Sequence, residues 1–65
     1  MEKYLSLEDV IRLITTLSHS QGFYGRLLRD INEMDEEGIE KLRKVIEEKK
    51  FKDNIEFILW IEGGE

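Results

Sequence analysis

The chain has 65 residues, with ten Lys and Arg, fifteen Asp and Glu, one His, no Cys and no Pro. This length has room for one small domain, residues 1–65, and the absence of Cys excludes disulfides and thiolate metal sites. The hydrophobic content of 40% is too high for a disordered tail, and no stretch approaches the roughly 18 apolar residues of a membrane span. We therefore expect a globular, cytoplasmic protein with a marginal core.

The first apolar stripe begins after Ser6 and recurs at spacings of three and four, which predicts an amphipathic helix. Its members are Leu7, Val10, Ile11, Ile14 and Leu17. Ser6 is a favoured N-cap, and Asp9 three residues later makes an imperfect capping box. Residues 18–22 carry no apolar pattern, so we expect a turn there.

A second stripe predicts a second helix, which Ser20 is expected to cap. The stripe consists of Phe23, Leu27, Ile31 and Met34. Gly22 and Gly25 lie on the other side of this helix, near Arg26 and Arg29. Each glycine costs about 1 kcal/mol relative to alanine within a helix, so these two positions need an explanation.

The second half of the chain predicts two more helices. Acidic residues 35–37 precede an apolar stripe that ends in basic residues 49–52, an order that complements a helix macrodipole. Residues 55–61 are almost continuously apolar and suit either a buried strand or a short helix. Because no second strand candidate exists, and because Asp53 and Glu56 form a capping-type pair, we predict a helix.

The fold class is therefore all-α, a compact bundle of three to four short helices. The expected core consists of Leu7, Val10, Ile11, Ile14, Leu17, Phe23, Leu27, Ile31, Leu42, Ile46, Ile55, Ile58 and Leu59. If Ile55, Ile58 and Leu59 face inward, Phe57 and Trp60 project to a different side of the last helix. The last helix is then either central to the core or exposes an aromatic patch.

No residues form a recognisable catalytic, cofactor or metal site in this sequence. Ser18, His19 and Ser20 are adjacent, but adjacent residues do not face each other on a helix and no third group orients the imidazole. One His and scattered acids match no zinc or EF-hand spacing. We expect a non-enzymatic protein without cofactors.

Two surfaces are candidates for binding a protein partner. Their residues are Gln21, Gly22, Tyr24, Gly25, Arg26 and Arg29 on the second helix, and Phe57 and Trp60 on the last. Glycines allow close approach of another chain, and arginines offer forks for carboxylate or phosphate. Alternatively, the glycines allow close packing between this chain's own helices, and the arginines pair with its own acids.

Two further functions remain open. The first two helices resemble a helix-turn-helix in which residues 20–29 would read nucleic acid. A net charge of −5 argues against this function, because it repels phosphate. An acidic protein could instead inhibit a partner by occupying its basic nucleic-acid-binding groove, although Lys41, Lys44, Lys49 and Lys50 dilute the acidic field.

The string SQGFYGRLL, from Ser20 to Leu28, resembles small uncharacterised proteins of bacteriophages, prophages and related mobile elements. The resemblance implies a short helical accessory protein, with no activity or ligand to carry over. It favours a modulatory factor that binds a host or phage protein. Because the core is marginal, we also expect a homodimer to be accessible.

Overall fold

A computed structural model describes residues 3–63, which form four α-helices and no strand within that range. The helices are α1 (Leu7–Leu17), α2 (Gly22–Asn32), α3 (Glu36–Lys49) and α4 (Asn54–Gly63). The all-α class and the helical state of residues 54–62 are confirmed. None of the helices in this range is long and apolar enough to cross a bilayer.

The cap of α1 follows the sequence prediction, and the cap of α2 does not. Ser6 Oγ accepts from the Asp9 amide, and the Asp9 carboxylate accepts from the Ser6 amide, so both bonds of the capping box are present. The N-cap of α2 is Gln21, whose side chain makes no capping hydrogen bond. Ser20 is not the cap, because α2 begins one residue later than predicted. The Ser20 hydroxyl donates to the Leu17 carbonyl instead.

α3 has strong signals at both ends. Asp35 caps its start by accepting from the Gly38 amide at 2.8 Å. The C-cap of α3 is Lys50, whose φ of 53° lies in the left-handed region that glycine favours. Asp53 then accepts from the Glu56 amide, so the predicted capping-type pair does begin α4.

The core lies against α1, which contacts each of the other three helices. Its buried residues are Leu7, Val10, Ile14, Tyr24, Ile31, Ile46, Phe51 and Phe57. Of the residues predicted for the core, Ile11, Leu17, Leu27, Leu42 and Ile58 are partly buried and pack against this cluster. An apolar cavity of about 90 Å³ remains between the helices, bordered by Val10, Ile46 and Trp60 among others.

The core prediction is wrong at three positions. Phe23 is 52% exposed, Ile55 is 65% exposed and Leu59 is 67% exposed. Tyr24 replaces Phe23 because adjacent helical residues point about 100° apart, and the buried side of α2 is centred on Tyr24 and Ile31. Phe57 is buried on α4 in place of the two aliphatic residues.

Two contacts join parts of the chain that are distant in sequence. The Leu5 amide donates to the Phe51 carbonyl at 2.8 Å, which ties the segment before α1 to the α3–α4 connection. Arg43 on α3 binds Glu8 through both terminal nitrogens, at 3.0 and 3.3 Å. This bidentate pair holds the pKa of the Glu8 carboxyl below its ordinary value and raises the pKa of Arg43.

Candidate partner-binding surface

The outer face of α2 carries most of the predicted site residues. At 3.6 residues per turn, Gly22, Arg26 and Arg29 fall within about 60° of one another around the helix axis. All three are exposed, and Gly25 lies half-buried at the side of the same face. Gln21 is exposed where α2 begins. We call these five residues the α2 face.

The glycines of the α2 face are not required for packing within the chain. Among residues 3–63, a Cβ atom built at Gly22 or at Gly25 meets nothing within 4 Å apart from its chain neighbours and the local backbone of its own helix. The interpretation that they allow two of the chain's own helices to approach is therefore wrong. By contrast, a Cβ atom at Gly38 would lie 3.3 Å from the Asp35 carboxylate that caps α3.

The arginines of the α2 face form no ion pair with the part of the chain that the structure describes. Within residues 3–63, neither Arg26 nor Arg29 lies within 4.0 Å of a carboxylate oxygen. Asp30 lies one turn beyond Arg26, and Glu33, the C-cap of α2, one turn beyond Arg29; both are exposed, but neither forms an ion pair with these arginines. Within residues 3–63, these arginines therefore do not neutralise the chain's own acids.

Tyr24 does not belong to the α2 face, although its position in the motif suggested it. The side chain is fully buried, and its hydroxyl donates to Glu62 Oε2 at 2.6 Å. Burial, followed by the hydrogen bond to Glu62, raises the pKa of Tyr24 to about 12. Tyr24 therefore links α2 to the end of α4 and is closed to a partner.

The predicted aromatic patch of Phe57 and Trp60 is not an exposed surface. Phe57 is buried, and Trp60 is half-buried. Both rings pack against Phe51, Phe57 edge-on with ring centroids 5.6 Å apart and Trp60 tilted at 5.5 Å, so the three aromatic side chains form one cluster. The Lys49 ammonium covers the Trp60 ring at 5.3 Å from its centroid. The exposure that this patch required is absent at Phe57.

Sequence reasoning missed a different apolar surface on α4. Ile55 and Leu59 are one turn apart, and they are the two most exposed large apolar side chains in residues 3–63. Their i, i+4 spacing was visible in the sequence. Because every side of α4 is apolar, that spacing could not show which side faces outward.

Two open grooves border these surfaces. One of about 400 Å³ runs along α1 to the start of α4, where Leu13, Thr16 and Asn54 contribute to it. Another of about 340 Å³ lies beside the α1–α2 turn and is lined by Gln21, Phe23, Ile61 and Glu62. Neither gathers catalytic side chains.

The polar residues of the α1–α2 turn are engaged locally or exposed. The Ser18 and Ser20 hydroxyls donate to the carbonyls of Thr15 and Leu17, and His19 is exposed. Across residues 3–63, no group of three or more His, Asp or Glu side chains is close enough to hold a metal ion. These residues therefore add no ligand set to the α2 face.

Two exposed arginines, without an ion-pair partner in residues 3–63, lie on a helix face with little side-chain bulk, which is an arrangement suited to binding carboxylate or phosphate. Comparison with known proteins finds no relative of this chain: no family model, no curated protein and no solved structure matches it.

Proposed function

We propose that this chain is a small non-enzymatic accessory factor of the cytoplasm that binds a protein partner through the α2 face. The observation that carries the proposal is that Arg26 and Arg29 are exposed and have no carboxylate partner within residues 3–63. They follow two glycines at which an added Cβ atom would meet nothing in that range. Two glycines in one short helix cost about 1 kcal/mol each. A cost without a folding purpose is expected where another molecule must approach the helix closely.

The chemistry of the α2 face indicates an acidic partner segment. Each guanidinium presents a planar fork that matches a carboxylate in bidentate geometry. With no Cβ at Gly22 or Gly25, a helix or extended segment can approach the α2 backbone closely enough for its own carboxylates to reach Arg26 and Arg29. The resemblance of residues 20–28 to proteins of phages and mobile elements supports a modulatory role of this kind.

Nucleic acid is the second candidate for the same face, because the guanidinium fork also suits phosphate. A four-residue turn, residues 18–21, separates α1 from α2, as in a helix-turn-helix. The net charge of −5 and the exposed acids Asp30, in α2, and Glu33, at its C-cap, oppose binding of a polyanion. We therefore favour a protein partner and treat nucleic acid as an outcome of the test.

The other alternative, an acidic inhibitor of a basic groove, would act through α3. Glu36, Glu37, Glu40 and Glu47 are exposed on this helix, but so are lysines. Lys41 pairs with Glu37 at 3.5 Å, which cancels part of the acidic field. This mixture of signs makes α3 a weaker candidate than the α2 face.

Affinity purification from cells that encode the chain tests the proposal. We expect Arg26→Ala/Arg29→Ala to lose a partner that the unchanged chain captures. Lys41→Ala/Lys44→Ala is the matched control, because it removes the same charge from exposed positions on α3. Retention of every partner by the arginine variant, or equal loss in the control, would show that the α2 face is not the binding surface.

A gel-retardation assay with duplex DNA separates the two candidate ligands. We expect no retardation at low salt by the unchanged chain. Retardation that Arg26→Ala/Arg29→Ala abolishes and added salt weakens would assign the α2 face to nucleic acid and contradict the protein-partner proposal.

A further inference from the structure

A groove at the start of α2 adjoins the α2 face. Gln21 and Phe23 on the α2 side, with Ile61 and Glu62 on α4, line a volume of about 340 Å³ that we call the Phe23 groove. Gln21 belongs to both surfaces, so the groove and the α2 face are continuous. Phe23 is 52% exposed although its ring is large and apolar. Exposed apolar side chains beside charged residues mark association sites.

Contacts within the fold hold the walls of the Phe23 groove in place. The Tyr24 hydroxyl donates to Glu62 Oε2 at 2.6 Å, which joins the α2 wall to the α4 wall. The Phe23 ring packs edge-on against the buried Tyr24 ring, with ring centroids 5.1 Å apart. A binding site whose walls are fixed in advance loses little conformational entropy when it is filled.

The groove and the two arginines lie along one row of α2. Phe23, Arg26 and Arg29 follow one another at intervals of three residues, so each is a neighbour of the next on the helix surface. At a rise of 1.5 Å per residue, the arginines lie about 4.5 and 9 Å from Phe23 along the helix axis. Gly22 and Gly25 form the adjacent row, where a partner can approach the backbone. A single short segment can therefore contact both the groove and the arginines.

We propose that the partner segment places a large apolar side chain in the Phe23 groove and its carboxylates on Arg26 and Arg29. This inference rests on the proposed function, because it specifies the acidic segment that the α2 face binds. The groove is at the lower end of the volumes of ligand sites, roughly 300 to 1,000 Å³. It therefore suits one inserted side chain.

The charges along this surface decide which part of the segment lies where. Glu62 places a carboxylate in the wall of the Phe23 groove, so an acidic side chain there would be repelled. Arg26 and Arg29 form no ion pair within residues 3–63, so they attract the acids of the segment. The exposed acids Asp30 and Glu33 follow the arginines along the chain and limit this attraction to the part of α2 that adjoins the groove.

Selection of random short peptides from a display library, on the immobilised full chain, tests the inference. We expect the enriched peptides to share one Phe, Trp, Leu or Ile with Asp or Glu within about six positions of it. The distance of about 9 Å between Phe23 and Arg29 corresponds to about three residues of an extended peptide or six of a helix. Enriched peptides that lack the apolar residue, or that carry Lys or Arg in its place, would overturn the inference.

Titration calorimetry of an enriched peptide with variants of the chain separates the apolar contact from charge attraction. Phe23→Lys removes the apolar wall and adds a positive charge near Arg26. We expect it to raise the dissociation constant at least about tenfold, whereas charge attraction alone predicts tighter binding. Leu59→Lys is the matched control and should leave the dissociation constant unchanged, because Leu59 is an exposed apolar residue outside the groove.

Circular dichroism verifies that each variant keeps the helicity of the unchanged chain. If Phe23→Lys loses helicity, Phe23→Ala supplies the comparison, because it removes the ring and leaves a residue that favours helix. We expect Phe23→Ala to weaken peptide binding as well. Equal binding by Phe23→Ala and the unchanged chain would overturn the apolar contact.

The calorimetric results also distinguish this inference from the proposed function. Binding that Arg26→Ala/Arg29→Ala weakens, and that Phe23→Lys leaves unchanged or tightens, would overturn the apolar contact and leave the α2 face as the binding surface. Binding that neither variant weakens would overturn both. Binding that only Phe23→Lys weakens would overturn the shared segment, because the groove would then act without the arginines. A library that yields no enriched peptide would overturn the inference, whereas capture from cells would still decide the proposed function.

Discussion

Replacing Gly25 by alanine should stabilise the fold, although glycine at this position serves the proposed binding surface. Gly25 is the fourth residue of α2, so its backbone is helical. A Cβ atom there meets no neighbouring atom within 4 Å, so the substitution carries no steric cost. The gain is then the difference in helix propensity, about 0.8 to 1.0 kcal/mol. In a domain of this size, that raises the unfolding midpoint by about 4 to 8 °C.

Thermal unfolding followed by far-ultraviolet circular dichroism measures this gain. Gly38→Ala is the control, since Gly38 is also helical but its Cβ atom would lie 3.3 Å from the Asp35 carboxylate and 3.4 Å from Met34 Cβ. We expect Gly38→Ala to gain less than Gly25→Ala or to lose stability. A lower midpoint for Gly25→Ala, or equal effects of the two variants, would refute the reasoning from open space.

A second measurement on Gly25→Ala connects stability with function. The added methyl group occupies part of the α2 face that the partner is proposed to approach. We therefore expect this more stable variant to capture less of any partner that Arg26→Ala/Arg29→Ala loses. If Gly25→Ala captured as much partner as the unchanged chain, Gly25 would not belong to the binding surface. The cost of glycine in helix stability would then have no explanation.

Three further predictions concern the helix ends. Lys50→Gly should raise the urea midpoint, with a gain of about 0.5 to 1 kcal/mol, because it relieves a left-handed φ of 53°; an unchanged midpoint would contradict this. The pKa of Tyr24, raised to about 12 from an unfolded value near 10, gives stability that is complete below pH 10 and is lost as the pH rises through 12. Tyr24→Phe should lack this loss in alkaline unfolding curves. The pKa of Glu8 is lowered from 4.5 by Arg43, so its contribution is present above pH 4.5 and disappears as the pH falls through the folded-state value. Glu8→Gln should show a shallower acid transition.

The sequence determined the helices because the information for each helix is local. The capping pair of Ser6 and Asp9, the acids before α3 and the spacing of the α1 stripe all act within a few residues. The outward position of Arg26 and Arg29 also followed, because helical geometry places them opposite the apolar stripe of α2. These parts of the fold and of the proposed site needed no knowledge of the neighbours.

Only the tertiary structure decided which side of α4 is buried. A helix that is apolar on every side has no amphipathic signal, so packing chose the inward side. Phe57 and Trp60 bury large rings against Phe51, a residue in a connection that no periodic pattern marks. Ile55 and Leu59 were left outside as a consequence.

Packing against the other helices also decided which side chains of α2 are buried and which of them pair within the chain. The Tyr24 ring is buried in the core, and its hydroxyl finds a partner in Glu62, 38 residues away along the chain. Whether the glycines pack within the fold, and whether the arginines pair with its acids, likewise depended on where the other helices lie. Short-range sequence patterns specify the helices. Which side chains are buried, and which pair with one another, depends on contacts between residues that are distant in sequence.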